Sequence, residues 1–266
     1  MTRYNGLVDR IDRALDVADS VFSSFDGRLV TELRKAGGDP LTEVDLALNR
    51  ALRESLQHED EGWLSEETAD ESSRLDKDLV WIVDPLDGTR EFIDGLPEYC
   101  TSIAAVVNGQ AVAGGITNPA AGIRVVGAIG LGVTRNGEST SAAPDPLPLE
   151  EMTVLASRSE VGRGQWKAVE KAGIRVEPMG SVAYKMARVA SGLDDATWTP
   201  EPKHEWDVAG GAALLASAGG HALGVDGAPL TFNRERPWLT GAIAIPPGFE
   251  EHIEAVTRLI RLQRSD

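Results

Sequence analysis

The stretch WIVDPLDGTREF, residues 81–92, sets two aspartates three positions apart at the end of an apolar run, with glycine and threonine directly after them. A strand ending in Asp84 can bury its side chains and still present a carboxylate at the sheet edge, where open α/β sheets bind ligands. Asp84 and Asp87 flank a turn that Pro85 rigidifies, so both carboxylates and the Leu86 carbonyl can converge on one point, as a hard cation requires. Two carboxylates about 4 Å apart at an effective dielectric of about 20 repel by about 4 kcal/mol unless a cation or proton intervenes. That is a large fraction of a domain's stability. An all-oxygen donor set without Cys or a paired His favours Mg2+ or Mn2+ over Zn2+. The Gly88 and Thr89 amides, at the predicted start of a helix, are placed to hold a phosphate against such ions.

Two other neighbourhoods corroborate this turn. WLSEETAD, 63–70, ends a short apolar pair in Glu66 and Glu67, which alone read as solvated acids. EWDVAGG, 205–211, opens a helix with Asp207, which alone reads as a complement to the helix dipole. Phosphatases of the haloacid-dehalogenase type also end a strand in aspartate, but one residue separates their two aspartates and the first is a nucleophile. The two-residue gap here speaks against that mechanism.

The chain that positions these acids has 266 residues and 42% hydrophobic content, enough for one large domain or two lobes sharing a core. Its formal charge of −16, from 42 Asp+Glu against 26 Lys+Arg, excludes an extended nucleic-acid surface, which needs a basic stripe. A small phosphorylated substrate remains compatible when cations stand between it and the carboxylates. Cys100 is the only cysteine, so no internal disulfide forms and a reducing cytoplasm fits. The N-terminal segment mixes Arg and Asp into its apolar positions, unlike a signal peptide, and no run reaches membrane-spanning length.

Apolar spacing predicts a helix over 5–25 and another over 42–58. In the second, TEVD forms a capping box that makes Thr42 the cap and gives Asp45 a structural role. Strands are predicted at 79–84, in two arms joined by NGQ over 101–118, and at GIRVVGAI. The proline-rich segment 141–151 divides an N-terminal lobe, 1–143, from a C-terminal lobe, 144–266. Beyond it, MTVLAS, a helix near 160–172, GIRVEPM, and helices over 181–191, 206–218 and 248–263 alternate in α/β fashion.

SEE, DPLDGT and WDVAGG, in this order and at this separation, together resemble the inositol-monophosphatase-like superfamily of Mg2+-dependent, lithium-sensitive phosphomonoesterases. The resemblance runs from DPLTEVDLALN to AGG. It implies a layered αβαβα sugar-phosphatase fold, α/β in class, and two or three Mg2+ ions, with Mn2+ able to substitute. By the same resemblance, Glu66, Asp84 and the Leu86 carbonyl bind a first ion, Asp84, Asp87 and Asp207 a second, and a third, weaker ion lies near Glu66. Thr89, hydrogen-bonded to Asp45, would orient and help deprotonate the attacking water, and Gly88 and Thr89 would contact the phosphate. This role for Asp45 stands beside the capping role, and both hold if its side chain faces the cleft. The family also implies a small phosphorylated substrate, no membrane or nucleic-acid partner, and often a homodimer.

DPLDGTREF resembles the 3′(2′),5′-bisphosphate nucleotidase branch, with Arg90 keeping that branch's positive charge. ASRSE, 156–160, and GSVAYKMARVASG, 180–192, resemble its nucleotide-side segments. Ser157, Arg158, Ser159, Ser181 and Lys185 are therefore candidates to meet a second phosphate or ribose, set against a surface turn and the solvated side of a helix. Trp198, Trp206 and Trp238 are candidates to border an adenine, against core packing, and His204 reads as a turn residue. The register of Glu201 near an inositol-binding acid is undetermined. The expected reaction is hydrolysis of 3′-phosphoadenosine 5′-phosphate. The alternatives are an inositol or fructose-1,6-bisphosphate phosphatase, a specialised biosynthetic phosphatase, or, from another class, a non-catalytic regulatory protein.

Overall fold

The computed structural model describes residues 4–25, 32–34, 40–140 and 147–264. The expected lobe boundary at 143/144 falls outside them.

The N-terminal part begins with α1 (Asn5–Phe25), whose Ile11, Leu15, Ala18 and Phe22 are buried at helical spacing. A short hairpin of β1 (Glu32–Arg34) and β2 (Pro40–Thr42) leads into α2 (Glu43–Leu56). A mixed sheet follows, built from β3 (Gly62–Ser65), β4 (Leu79–Asp87), β5 (Cys100–Val107), β6 (Gln110–Asn118), β7 (Ile123–Ala128), β8 (Gly132–Arg135) and β9 (Glu138–Thr140), with α3 (Thr89–Ile93) between β4 and β5. These seven strands lie in chain order; β3 and β4 run parallel and the remaining pairs antiparallel. The positive-φ residues Asn108 and Gly109 close the β5–β6 hairpin at the predicted NGQ.

The C-terminal part contains β10 (Thr153–Ser157), α4 (Arg158–Gly162), α5 (Lys167–Lys171), β11 (Arg175–Met179), α6 (Val182–Ala190), β12 (Ala196–Thr199), β13 (Lys203–His204), α7 (Glu205–Ser217), β14 (His221–Leu223), β15 (Trp238–Leu239), β16 (Ala242–Ile245) and α8 (Ile253–Gln263). Its main sheet has five strands in the order β11-β10-β12-β16-β14. The single helix expected near 160–172 is instead two short helices. Gly164, at φ +79°, breaks the right-handed path, and Trp166 drops into the core. The last helix starts at Ile253, after a 3-10 turn over Glu250–His252.

Three apolar clusters bind these elements into layers. One joins α1 and α2 to the seven-stranded sheet, a second packs α6 and α7 between the two sheets, and a third lies between the five-stranded sheet and α5 with α8. The order is therefore helix, sheet, helix, sheet, helix, the αβαβα architecture. Among the described residues no helix is long and apolar enough to cross a membrane.

Candidate active site

The acids of DPLDGT are placed by a fault in a strand. β4 was expected to stop at Asp84 and turn, but it runs on to Asp87 with a shift in register against β5, where Asp84 pairs with Ser102 and Asp87 with Cys100. In a regular strand, residues three apart face opposite sides of the sheet. The bulge at Pro85–Leu86 changes that, and it is a place where proline's missing N–H is tolerated. Thr101 Oγ1 pins the bulge by donating to the Pro85 carbonyl at 2.8 Å, and the Leu86 amide donates to Asp84 Oδ1 at 3.1 Å.

Asp207 arrives from α7, at the third residue of that helix. Its Oδ2 accepts the His204 amide at 2.9 Å, as a capping acid does. The glycines that follow let the helix in. A Cβ on Gly210 would stand 2.3 Å from Ser102 Oγ, and one on Gly114 of β6 would stand 2.6 Å from the Gly210 carbonyl. On the other side, a Cβ on Gly211 would meet Met186 of α6 at 2.4 Å. The AGG of the motif is thus a packing requirement that seats α7 against the sheet and brings its first turn to the end of β4.

The acids then repel one another. Burial first, then the charges of Glu66, Asp87 and Asp207, push Asp84 well above the usual carboxylate range, and a hydrogen bond with Glu66 adds to the effect. Burial, then Asp87 and Glu66, push Asp207 up to about 8, opposed by Lys203 and the His204 amide. The chain holds one oxygen of each aspartate: Leu86 N–H on Asp84, His204 N–H on Asp207, and on Asp87 Oδ2 both Ser181 Oγ and the Ala183 amide, each at 2.7 Å. Among the described residues no three His, Cys, Asp or Glu side chains form a closed metal-holding group. Asp84 is buried and feels the charges of the partly buried Glu66, Asp87 and Asp207, an all-oxygen set of the donor type that hard divalent cations take.

Beside them lies a second pairing. Thr89 Oγ1 reaches Asp45 Oδ1 at 3.2 Å and the Leu86 carbonyl at 3.0 Å. Asp45 is fully buried, and its Oδ2 accepts the Thr42 amide at 2.7 Å and the Thr42 hydroxyl at 2.5 Å. One carboxylate therefore does both jobs: one oxygen closes the capping box of α2 while the other meets Thr89. Gly88 stands just before α3 at φ +94°, and a Cβ there would lie 2.7 Å from the Glu98 carbonyl. Only glycine gives this tight entry to the Thr89 amide.

The model of the inositol monophosphatase family matches residues 4–261. The chain belongs to that family. It is accordingly a phosphatase. Among curated relatives it is 35% identical over 202 residues to the 3′-phosphoadenosine 5′-phosphate phosphatase of Mycobacterium bovis, covering 73% of each chain. It is 32% identical over 200 residues to the fructose-1,6-bisphosphatase/inositol-1-monophosphatase of Thermotoga maritima, covering 73% of this chain and 75% of the relative. Among solved structures, the extragenic suppressor protein SuhB of Bartonella henselae superposes with a TM-score of 0.82 at 23% identity, over 97% of this chain and 99% of that one. This last likeness establishes the fold.

The remaining residues singled out from this inositol monophosphatase family sequence divide into groups. Arg158 is bound by both oxygens of Glu98, and Glu98 Oε2 also accepts the Gly180 amide at 2.6 Å, so ASRSE and GSVAYK meet through that acid. Ser157 Oγ and Ser159 Oγ pair at 3.0 Å on the exposed surface. Ser181, at φ +53°, caps α6 and holds Asp87. Lys185 does not lie on a solvated face: it is buried, with Nζ 3.1 Å from the Met179 carbonyl, and burial lowers it to about 8 against the pull of Asp87 and Glu160. Trp198 is core, stacked on Trp166. Trp206 stacks on the His204 ring at a centroid distance of 4.1 Å, and the half-exposed Trp238 meets that ring tilted at 3.8 Å. Glu201 accepts from Gln165 at 2.5 Å.

Glu98 and Asn49 are among the residues the sequence did not single out. Glu98 gave no signal in a loop of mixed polarity. Asn49 was legible in principle, since it lies one helical turn beyond Asp45 on the same face of α2. Its amide bonds Thr68 Oγ1 at 2.9 Å and the Glu67 carbonyl at 3.3 Å, and its oxygen accepts Ser65 Oγ at 2.9 Å, fixing the turn that bears Glu66.

Proposed function

We propose that this family member is a Mg2+-dependent phosphomonoesterase that hydrolyses 3′-phosphoadenosine 5′-phosphate to AMP and phosphate. The observation that carries this reading is the meeting of Glu66, Asp84, Asp87 and Asp207, which repel one another, beside the Asp45–Thr89 pair. Glu66, Asp84, the Leu86 carbonyl, Asp87 and Asp207 would hold two ions, with a third, weaker ion near Glu66; Mn2+ would substitute. When bound, Mg2+ neutralises phosphate oxygens, makes water more acidic and stabilises the leaving alkoxide.

The chain's own groups do the rest. Asp45, anchored by Thr42, accepts the Thr89 hydroxyl, so the Thr89 oxygen offers a lone pair to a proton of the attacking water. The Gly88 and Thr89 amides orient the phosphate. Arg158, held near Gly180 by Glu98, is the candidate for a second phosphate. Ser157, Ser181 and Lys185 belong to the same side, Ser181 and Lys185 from within the wall. In this reading residues 1–143 carry most of the ligands, and 144–266 bring Asp207 and the substrate side. The molecule works in the cytoplasm as a homodimer on small phosphoesters.

Arg90-Glu91-Phe92 and the mycobacterial relative support the nucleotide. The Thermotoga relative supports a second reading, an inositol or fructose-1,6-bisphosphate phosphatase with the same machinery. Phosphate release from 3′-phosphoadenosine 5′-phosphate, inositol 1-phosphate and fructose 1,6-bisphosphate, measured side by side with Mg2+, separates the two. Asp84→Asn is expected to abolish release on every substrate while the protein stays folded; near-normal turnover by this variant would sink the cation-dependent reading.

A further inference from the structure

Arg74 is buried, with its side chain 1% exposed, and none of the chemistry above uses it. It stands in the 3-10 turn Ser72–Asp76, downstream of the Glu66 turn. Its Nε and Nη2 donate to the two oxygens of Asp70 at 2.6 and 2.9 Å. Nη1 donates to Asn233 Oδ1 at 2.6 Å, and Nη2 also reaches the Arg234 carbonyl at 2.8 Å. On the other side of the same two residues, the fully buried carboxylate of Glu205 accepts the Asn233 and Arg234 amides at 2.7 and 3.1 Å. Asn233, at φ +58°, returns a bond from its side-chain amide to the Arg74 carbonyl at 3.3 Å.

The two charges hold the same pair of residues: the guanidinium takes the Asn233 side-chain oxygen and the Arg234 carbonyl, and the carboxylate takes the Asn233 and Arg234 amides. Each end of this linkage lies close in sequence to one of the acids. Asp70 lies four residues after Glu66, and Glu205 lies two before Asp207, its own amide donating to the Pro237 carbonyl at 3.0 Å. Buried charges contribute little net stability compared with well-packed apolar residues, so holding the fold does not by itself call for the buried Arg74 and Glu205. What they add is a directional tie between two segments remote in sequence. The structure assigns Arg74 the part of a positioning residue: it sets the Glu66 turn against the Asp207 helix and so fixes how tightly the acid cluster holds a divalent cation. This rests on the cation-dependent reading above.

The test uses the full chain, with Arg74→Met, Arg74→Lys and, as a control, Arg10→Met. Arg10 is also mostly buried, but its ion pair ties α1 to Glu61. Mn2+ binding is read by electron paramagnetic resonance, and the rise in Tm on adding Mg2+ is read alongside it. Arg74→Met is expected to weaken Mn2+ binding by about tenfold or more, as loss of groups that orient metal ligands does, with Arg74→Lys in between. Turnover at saturating Mg2+ should fall far less than the Mg2+ half-saturation point moves. Arg10→Met should lower Tm with cation affinity unchanged. Should Arg74→Met fail to fold, the double variant Arg74→Met/Glu205→Gln removes the stranded charge, and its Mn2+ affinity is expected to be weakened as well. A folded Arg74→Met or double variant that binds Mn2+ as tightly as wild type overturns the assignment. A wild-type protein that binds no Mn2+ overturns the cation-dependent reading itself.

Discussion

At the scale of single residues, the site depends on groups that answer two demands at once. Asp45 caps α2 with one oxygen and meets Thr89 with the other, so the start of the helix is built around the Thr89 hydroxyl. Thr89→Ala is expected to lower kcat by about 10²–10⁴, the range of general acid–base effects, and Thr89→Ser to restore most of it. Steady-state rates at saturating Mg2+ check this, and an Ala variant within a few-fold of wild type would remove Thr89 from the proton path. The closeness of Thr89 to Asp45 and of Asp84 to the other acids agrees with the motifs, because motif spacing reports local neighbourhoods. Glu98 and Arg74 were not legible, because their partners at Gly180 and Asn233 are far along the chain and no local pattern marks such a pair.

At the scale of elements, the precision of the site comes from defects and gaps. The bulge in β4 turns two aspartates inward, and the small residues of α7 and β6 let helix and sheet touch. Gly210→Ala would place a methyl carbon 2.3 Å from Ser102 Oγ and 3.2 Å from the Ile103 carbonyl. Overpacking of this kind costs about 1–3 kcal/mol and here also displaces Asp207. The expected result is a lower urea midpoint together with weaker Mg2+ activation; a variant with reduced stability but unchanged cation dependence would separate α7 packing from ligand placement. Long helices such as α1, α2 and α7 could be read from sequence because amphipathic spacing or caps announce them. The short strands β3, β12 and β16 could not, because they are buried on both faces and show no alternation of apolar and polar residues. The split of α4 from α5 was missed because a single positive-φ glycine outweighed an otherwise helical pattern.

At the scale of the whole molecule, ion pairs add to the apolar contacts that seat α1 on the sheet. Arg124 of β7 grips Asp12, Asp16 and Asp19 of α1 at 3.0, 2.7 and 2.5 Å. Arg10 of α1 grips Glu61, which also accepts the Trp81 indole at 2.9 Å and the His58 amide at 2.9 Å. Burial pushes the Glu61 carboxyl upward, but the Arg10 hydrogen bonds, the His58 amide, the Trp81 indole and the Arg10 charge outweigh it and bring it down to about 2, from an ordinary 4.5. The folded state therefore binds this proton less readily than the unfolded chain does. Glu61's contribution is whole above about pH 4.5 and drains away as pH falls toward about 2. Urea midpoints of wild type and Glu61→Gln should converge across that window; a constant gap would show that Glu61 does not titrate there. The layering has a further consequence for how the protein is made. The seven-stranded sheet precedes α6 and α7 in the chain, so α1 and α2 are synthesised in time to cover one of its faces before α6 and α7 can cover the other. Until α7 docks, that face of the sheet exposes a broad apolar surface, so the interval before docking is when the chain most needs protection from aggregation.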